Sequence, residues 1–376
     1  MNFRPSIQYH HSGKIALFVL LLMAVLIAMG TSYWFALSSG PSPLVVYCSH
    51  DSVFSEPIIE AFEKETGIEV VFVPDTEASK SLGLTQRILA ERDQPRCDVF
   101  WNNQQLGTMD LAAAGVLEPY QGPGYQRIPV GYKDAEGLWA GFAARMRVWI
   151  VNTDKMEATR KAVENAIEKG AGAKGTETET LSHVAIAKPL YGTTRTHYTV
   201  LWDVKTGDRL KQWHKDWRDR GVLELTGNGT VMREVGAGNV DLGLTDTDDY
   251  FVAKDDGKPV AMVPAWVAVK VDQNKASQDV KAGEYQIVIP NTVAIIKGTN
   301  QRENAQRFVD YLLSKKVELM LAKSKARQIP LGDIDDEHLP AEVRALRNFV
   351  KTGYPLSDLH ASREACLKWL RQEYGQ

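Results

Sequence analysis

The stretch Asp241–Phe251, DLGLTDTDDYF, predicts how the rest of this 376-residue chain is organised. Leu242–Leu244 has the apolar character of a short buried strand, and a polar run follows directly at its carboxyl end. Ligands of open α/β sheets bind in the crevice outside the carboxyl ends of the strands. The polar run supplies oxygen donors of the kind that hard cations prefer, from Thr245, Asp246, Thr247, Asp248, Asp249 and Tyr250. The alternative is a turn with a helix N-cap, since Asp and Thr are common there.

Strand and helix patterns alternate along the chain around this stretch. Leu44–Tyr47, Ile68–Val73 and Asp98–Trp101 are apolar runs of strand length, and helical patterns separate them. This alternation predicts an α/β fold with a mainly parallel sheet and right-handed crossovers. The longer extended segment Trp139–Val151 is a candidate hinge between two domains, for which the chain is long enough. The C-terminal part, Pro340–Tyr374, has a helical pattern.

Small polar loops follow several of the predicted strands. They are Ser49-His50-Asp51, Thr76–Ser79, Asn102–Gln104 and Thr193-Thr194, and most precede a helix. Each loop alone is typical of a helix cap. Because the amides at helix N-termini bind oxygen-rich ligands, several such loops at one sheet edge, together with the aspartates, favour a binding cleft.

The N-terminal segment predicts a location outside the cytoplasm. Ile15–Leu37 carries no charge and follows Arg4 and Lys14, which place the N-terminus inside. A helix of this length reaches roughly 34 Å, enough to cross a hydrocarbon core of about 30 Å. We therefore expect a membrane anchor. A cleaved signal peptide is the alternative, because Ala36-Leu37-Ser38 has the small residues of a cleavage site.

Composition and motifs exclude several classes of function. Charged residues make up 24% of the chain, the net charge is −3 and no basic block is present, so no nucleic-acid partner is expected. Three cysteines do not make a disulfide framework. The sequence contains no Gly-x-Ser-x-Gly elbow, no His-Glu-x-x-His motif and no phosphate-binding Gly-x-x-x-x-Gly-Lys-Ser/Thr motif. We therefore expect a protein that is not an enzyme.

Six runs of sequence together resemble the solute-binding proteins of ferric-iron ABC importers, a family of periplasmic binding proteins. They are DTEASKSLGL from Asp75, DVFWNNQ from Asp98, GVLEPY from Gly115, KPLYGTT from Lys188, GLTDTDD from Gly243 and IPNTVAI from Ile289. The resemblance covers nearly all of residues 44–330, in the same order. It implies a two-lobe type II fold, in which each lobe is a mainly parallel sheet flanked by helices. It also implies that the lobes close on a ligand, which is then delivered to permease and ATPase subunits.

The resemblance further implies where a metal would bind. Ferric binders of this family use an adjacent tyrosine pair from the second lobe, with a histidine and a glutamate from the first. Tyr250 stands at the first tyrosine position, and Phe251 occupies the second. His50 lies one residue from the histidine position, and Asn103 holds the glutamate position. The predicted metal ligands are Tyr250, His50 and Asp248.

The predicted ligand-binding set is larger than the predicted metal site. It comprises Ser49, His50, Glu77, Ser79, Asn102, Asn103, Thr193, Thr194, Thr247, Asp248 and Tyr250. The prediction is a monomeric, extracytoplasmic solute-binding component of an ABC importer, with Fe3+ or a chelated iron species as cargo rather than as a catalytic cofactor. The alternatives are a small organic solute or oxyanion in the same fold, with Tyr250 and Trp101 as apolar walls, and a sensor module without transport.

The predicted segments follow from the same patterns and from the resemblance. The N-terminal part comprises residues 1–14 on the cytoplasmic side, 15–37 as anchor or signal and 38–43 as linker. The remainder comprises residues 44–145 as the first part of lobe 1, 146–260 as lobe 2, 261–330 as a return segment across the hinge with helices that close the lobe, and 331–376 as a C-terminal helical tail.

Overall fold

A computed structural model gives the three-dimensional structure of the chain. It describes residues 22–25, 27, 29, 42–75, 81–169, 180–269, 280–357 and 359–375. The chain divides into two compact units, Met1–Pro43 and Leu44–Gln376, and the second contains all the features that follow. Most of the predicted hydrophobic segment 15–37 lies outside the described residues. Within the described ranges, no helix has the length and hydropathy needed to cross a bilayer.

The described residues contain twelve strands, most of which coincide with apolar runs of the sequence and end at a polar loop or turn. They are β1 (Leu44–Cys48), β2 (Val70–Pro74), β3 (Val99–Asn102), β4 (Leu117–Glu118), β5 (Ala140–Asn152), β6 (Val184–Ala187), β7 (Leu223–Leu225), β8 (Leu242–Asp246), β9 (Val260–Pro264), β10 (Trp266–Val269), β11 (Gly283–Gln286) and β12 (Val288–Ile296).

Helices separate most of these strands and close the C-terminal part. They are α1 (Ser52–Thr66), α2 (Leu82–Ala90), α3 (Gln105–Ala113), α4 (Pro123–Gln126), α5 (Arg160–Lys169), α6 (Gly192–Lys205), α7 (Gly207–Asp219), α8 (Asn228–Gly236), α9 (Thr247–Asp255), α10 (Arg302–Leu312), α11 (Lys315–Lys323), α12 (Ala341–Lys351) and α13 (His360–Glu373). The last two confirm the helical pattern expected for the tail.

One mixed sheet joins strands from both halves of the unit, in the order β2-β1-β3-β12-β5-β8-β6-β7. Strand β1 pairs in parallel with β2 and β3, and β6 pairs in parallel with β7 and β8. These two parallel groups confirm the alternation of strands and helices predicted from the sequence. The antiparallel strands β5 and β12 lie between the groups, so the chain crosses from one group to the other along them.

Strand β5 changes its partners along its length. Its first part, up to Met146, pairs with β12, and its second part, from Arg147, pairs with β8 and then also with β9. This long strand corresponds to the extended segment that the sequence analysis identifies as a candidate hinge. The predicted bounds of the two lobes remain a prediction, which the change of partner next to residue 146 supports.

Two hydrophobic cores lie mostly within one parallel group each, and a third contains side chains of both groups, such as Phe100 of β3 and Leu244 of β8. In the first, Phe62 of α1 and Phe308 of α10 meet edge to face with ring centroids 4.9 Å apart, beneath the buried side chains of β1 and β3. In the second, Val231 of α8 and Phe251 of α9 pack with Val148 of β5. Because close-packed cores deform little, each group is expected to hold the loops at its strand ends in place.

A buried carboxylate anchors β5 near its change of partner. Oε1 of Glu318, on α11, accepts hydrogen bonds from the amides of Ala143 (3.0 Å) and Leu331 (2.8 Å). Oε2 accepts from the amide of Gly332 (3.2 Å) and from Nη1 of Arg127 (2.8 Å). Glu318 is fully buried. Because a buried charge is tolerated only when it is paired and hydrogen-bonded, this group ties β5 to α11 and to the segment after it.

Candidate functional site

The candidate site is a cavity of about 460 Å³ at the carboxyl ends of the parallel strands. Its lining comes from loops that the sequence analysis predicted to converge, after β1, β3, β6 and β8, and from two further elements, β5 and the loop after β7. The polar residues that line it are Asp51, Asn103, Arg145, Lys188, Tyr191, Thr193, Thr194, Thr226, Asn228, Thr230, Arg233, Asp246, Asp248 and Asp249.

Helices α6, α8 and α9 begin at this cavity. The first residues of α6, α8 and α9 are Gly192, Asn228 and Thr247, and the residue before each helix makes no side-chain capping hydrogen bond. The first backbone amides of a helix have no partner within the helix and carry the positive end of its dipole. Three such ends at one cavity favour a solute with anionic or strongly polar oxygen atoms.

A buried ion pair joins β5 to two of these helices. Nη1 of Arg147 donates to Oδ1 of Asp246 (2.8 Å) and to Oγ1 of Thr193 (3.1 Å). Oγ1 of Thr193 donates to Oδ2 of Asp246 (2.5 Å), and Nδ2 of Asn228 donates to the same oxygen (2.9 Å). Arg147 is fully buried and Asp246 nearly so. The network therefore fixes the starts of α6 and α8 against β5.

A second buried arginine connects the two sides of the cavity. Nε of Arg145 donates to Oδ2 of Asp248 (2.8 Å), and Nη2 donates to Oδ1 of Asn291 on β12 (2.9 Å). Nη1 donates to the backbone oxygen of Asn103. Burial alone would lower the pKa of Arg145, but the charges of Asp248 and Asp246 raise it overall. Arg145 is therefore a permanent cation between the loop after β3 and helix α9.

The three predicted aspartates form one cluster. Asp246, Asp248 and Asp249 each bring a carboxylate oxygen to within 4.8 Å of the others. Asp249 accepts a hydrogen bond from Oγ1 of Thr245 (2.6 Å). Burial raises the pKa of Asp249 well above its ordinary value, and the charges of Asp248 and Asp246 raise it further. Since Arg147 pairs with Asp246 and Arg145 with Asp248, at most one negative charge of the cluster is left uncompensated.

We expect the substitution Asp249→Asn to reduce the pH dependence of stability. Because the folded-state pKa of Asp249 is raised, the folded protein holds a proton that the unfolded chain releases at about pH 4. The protonated carboxyl of Asp249 therefore contributes its whole stabilisation below this pH, and this contribution is lost as the pH rises through the folded-state pKa. From about pH 5 to about pH 8, the fall in Tm should therefore be smaller in the variant than in the wild type, by a few degrees.

The control for this experiment is Glu60→Gln, on the exposed face of α1. Its Tm should follow that of the wild type at every pH. An unchanged fall of Tm in Asp249→Asn would show that the proton is not held at Asp249.

The structure brings four of the predicted ligand-binding residues to the cavity: Asn103, Thr193, Thr194 and Asp248. Three others make structural hydrogen bonds instead. Oγ of Ser49 donates to Asp75 (3.0 Å), Nδ2 of Asn102 donates to Thr108 (3.2 Å), and Oγ1 of Thr247 accepts from the amide of Met146 (3.2 Å). The predictions for Glu77 and Ser79 lie outside the described residues.

The predicted ligand His50 lies beside the cavity and not in its lining. Its ring stacks on Trp101 with centroids 5.3 Å apart, and its Nε2 lies 2.8 Å from the side-chain amide of Gln328. Trp101 is fully buried in the first core, so it does not form the apolar wall proposed for an organic ligand. The adjacent Asp51 reaches the cavity instead.

Tyr250, also a predicted ligand, does not line the cavity. Asp248, Asp249 and Val252 of α9 line the cavity, while Tyr250 packs in the second core beside Phe251, with ring centroids 5.1 Å apart. The reason is helical geometry: successive residues are rotated by about 100°, so Tyr250 faces away from Asp248. Burial also raises the pKa of Tyr250, which disfavours a phenolate there. The structure therefore does not favour Tyr250 as a metal ligand.

Sequence reasoning missed the two arginines, although a signal was present. Arg145 and Arg147 stand at alternate positions of an otherwise apolar run, FAARMRVWIV. Alternate residues of a strand point to the same face. Two cations on one face of a buried strand require buried partners, and the aspartate cluster supplies them. Asn228 was missed as well, because its Gly-rich surroundings resemble an ordinary turn.

Comparisons with known proteins agree with this architecture. The profile of the bacterial extracellular solute-binding proteins matches residues 57–336. The Fe(3+)-binding periplasmic protein of Serratia marcescens is 21% identical over 338 residues, covering 84% of this chain and 89% of the relative.

Solved structures show the same fold. Iron-bound HitA from Pseudomonas aeruginosa superposes with a TM-score of 0.69 at 18% identity, over 89% of this chain and 100% of that chain. The periplasmic binding protein AfuA from Actinobacillus pleuropneumoniae, with fructose-6-phosphate bound, gives 0.63 at 19% identity, over 89% and 99%. These likenesses confirm the predicted two-lobe periplasmic-binding-protein fold.

Proposed function

Because the chain belongs to the bacterial extracellular solute-binding proteins, we propose that it is the solute-binding component of an ABC importer and acts outside the cytoplasmic membrane. The relative from Serratia marcescens is named as a periplasmic Fe(3+)-binding protein, which supports both the location and the class of cargo. Its partners would be a permease and an ATPase subunit, and it would bind its cargo as a monomer. Anchoring by residues 15–37 or release after cleavage both suit this role.

The proposed cargo is ferric iron bound to an organic anion. One observation carries this proposal: three helix N-termini and an aspartate cluster with at most one uncompensated charge share one cavity. A bare trivalent cation would need several anionic oxygens, as hard cations do. Here Asp246 and Asp248 are already paired with arginines. A chelator would supply the missing oxygens and would itself be bound by the helix amides.

Lobe closure around the cargo would be the mechanism of binding. Arg145 contacts Asp248 on one side of the cavity and the backbone of Asn103 on the other. A solute that contacts both sides binds the closed arrangement more tightly than the open one. This difference in affinity stabilises the closed arrangement. The strand β5, on which Arg145 and Arg147 lie, connects the two parallel groups and is the proposed hinge.

The second candidate cargo is a phosphorylated or carboxylated organic solute without metal. The pairing of Asp246 and Asp248 with arginines favours it, because the cavity is then less acidic than its composition indicates. Lys188 and Arg233 in the lining add positive charge. The structural neighbour AfuA holds fructose-6-phosphate, which supports this second candidate.

A thermal-shift series on the full chain tests both candidates. The probes are ferric citrate, ferric nitrilotriacetate, citrate alone and fructose 6-phosphate. A rise in Tm with a ferric chelate but not with citrate, and iron retained after desalting, would support the first candidate. A rise with citrate or fructose 6-phosphate alone would support the second. No rise with any of the four would overturn both, since a ligand at 100 times its Kd stabilises by about 2.7 kcal/mol.

Two variants then test the site itself. We expect Asp249→Ala to weaken binding of the active probe by about tenfold, because it removes an oxygen that contacts the cavity. Tyr250→Phe is the matched control on the opposite face of α9, and its affinity should stay within about twofold of the wild type. A large loss of affinity in Tyr250→Phe would show that the tyrosine contacts the ligand. Co-purification with the permease would separate an importer component from a sensor.

A further inference from the structure

A second cavity, of about 410 Å³, lies on another side of α6. Within the described residues it shares no lining residue with the cargo cavity. Elements α5, α6, α7 and β10 enclose it, together with β5. Its walls are unusually rich in aromatic rings, from Trp149, Tyr198, Trp213, Trp217 and Trp266, and they include the imidazole of His197.

Four of the aromatic rings contact one another in a row. The ring centroids of Trp213 and Trp217 are 4.2 Å apart, those of Trp149 and Trp217 are 6.2 Å apart, and Tyr198 lies 6.0 Å from Trp213. The guanidinium of Arg160 covers the ring of Trp266 at 4.5 Å. Protein interiors rarely leave a space of this size between apolar side chains. Its volume falls in the range of small-molecule sites, about 300–1,000 Å³.

His197 is a buried polar group in the lining of this cavity. It is 6% exposed, and its Nδ1 has no hydrogen-bond partner among the residues that the structure describes. Burial lowers the pKa of His197 well below its ordinary value, and the charge of Arg147 lowers it further. The imidazole is therefore neutral and presents one N–H donor and one acceptor nitrogen. A buried polar group without a partner costs stability, which a suitable ligand would recover.

Charge at the cavity entrance narrows the class of ligand. Arg160 is held by Glu164 (2.7 Å) and Glu284 (2.6 Å), so its charge is compensated. The lining also carries Lys205 and Glu168, so three carboxylates face two cations, and a strongly anionic ligand would meet a net negative charge. Flat, uncharged aromatic rings gain from stacking on tryptophan faces.

We propose that this second cavity binds a flat, uncharged, bicyclic nitrogen heterocycle, which stacks on the tryptophans and hydrogen-bonds to His197. This site is separate from the cargo cavity and does not depend on the identity of the cargo. Its ligand is recognised by ring shape and by one polar contact.

Ligand-observed NMR titration of the full chain tests the proposal. Benzimidazole is the probe, and indene is the comparison, because it has the same bicyclic shape without ring nitrogens. We expect saturable binding of benzimidazole that ferric citrate and fructose 6-phosphate do not displace. Absence of saturable benzimidazole binding to the wild type would overturn the proposal.

Two variants locate the probe. Ala268→Trp places a large side chain at an exposed position of the lining and should weaken benzimidazole binding at least about tenfold by filling the entrance. The control, Ala114→Trp, lies at an exposed position after α3 and should not change it. Equal affinity in the wild type and Ala268→Trp would overturn the proposal even if a probe binds elsewhere.

The ratio of the affinities for benzimidazole and indene tests the role of His197. In His197→Leu, the preference for benzimidazole over indene should fall by about threefold to tenfold, the size of one hydrogen bond. A general loss of packing would weaken both probes equally and leave this ratio unchanged, which would contradict the contact with His197. If the variant does not fold, the comparison of Ala268→Trp with Ala114→Trp still decides whether the cavity binds the probe.

Discussion

Replacing Arg147 with leucine is expected to lower the free energy of unfolding by about 3–5 kcal/mol. The guanidinium is fully buried and donates to Asp246, Thr193 and Thr194. Its removal leaves the carboxylate of Asp246 buried with only hydroxyl and amide partners. Urea unfolding, followed by circular dichroism, measures the loss from the shift of the midpoint at constant slope.

Two further variants separate the charge from the packing. Arg302→Leu removes an exposed arginine that pairs with Glu118 at 2.6 Å, and it should cost less than about 1 kcal/mol. The double variant Arg147→Leu/Asp246→Leu should recover part of the loss, because it leaves no unpaired buried charge. If Arg147→Leu lowered the free energy of unfolding no more than Arg302→Leu, the ion pair of Arg147 and Asp246 would not be buried in the folded protein in solution.

Replacing Glu318 with leucine is expected to produce a loss of similar size, about 3–5 kcal/mol. The side chain accepts hydrogen bonds from three backbone amides and from Arg127, and it is fully buried. Leucine would leave these buried donors without an acceptor, and each unsatisfied group costs about 1–3 kcal/mol. Urea unfolding measures the effect, and strand β5 should lose amide protection at Ala143 in hydrogen exchange.

The controls for Glu318 test whether the acceptor oxygens matter. Glu318→Gln keeps one acceptor oxygen. We therefore expect it to be less stable than the wild type but more stable than the leucine variant. Glu60→Leu, on the exposed side of α1, should change stability by no more than about 0.5 kcal/mol. A loss below about 1 kcal/mol in Glu318→Leu would show that water or another group satisfies the amides.

Local sequence patterns determined a large part of the fold. Apolar runs of strand length followed by small polar loops predicted strands such as β1 and β3 with binding loops at their carboxyl ends. The period of such patterns depends only on neighbours along the chain, so it can be seen without coordinates. The same holds for the aspartate cluster: Asp246, Asp248 and Asp249 are close in sequence and therefore close in space.

The direction of individual side chains was less predictable. Tyr250 stands in the expected run of sequence, but it lies two residues after Asp248, so it is rotated by about 200° around the helix and enters the core while Asp248 lines the cavity. The start of α9 at Thr247 sets this phase. Helix ends are the least certain part of a sequence-based prediction, and an error of one residue rotates a side chain by about 100°.

By itself, the sequence determined the α/β alternation, the family and the loops that carry the site, because each depends on residues that are neighbours in the chain. Only the tertiary structure decided that Arg145 and Arg147 neutralise Asp248 and Asp246, pairs that are separated by 103 and 99 positions in the chain. It also decided that aromatic residues of α6, α7, β5 and β10 enclose a second cavity. Contacts between distant segments depend on how the strands are ordered in the sheet, which no local pattern specifies.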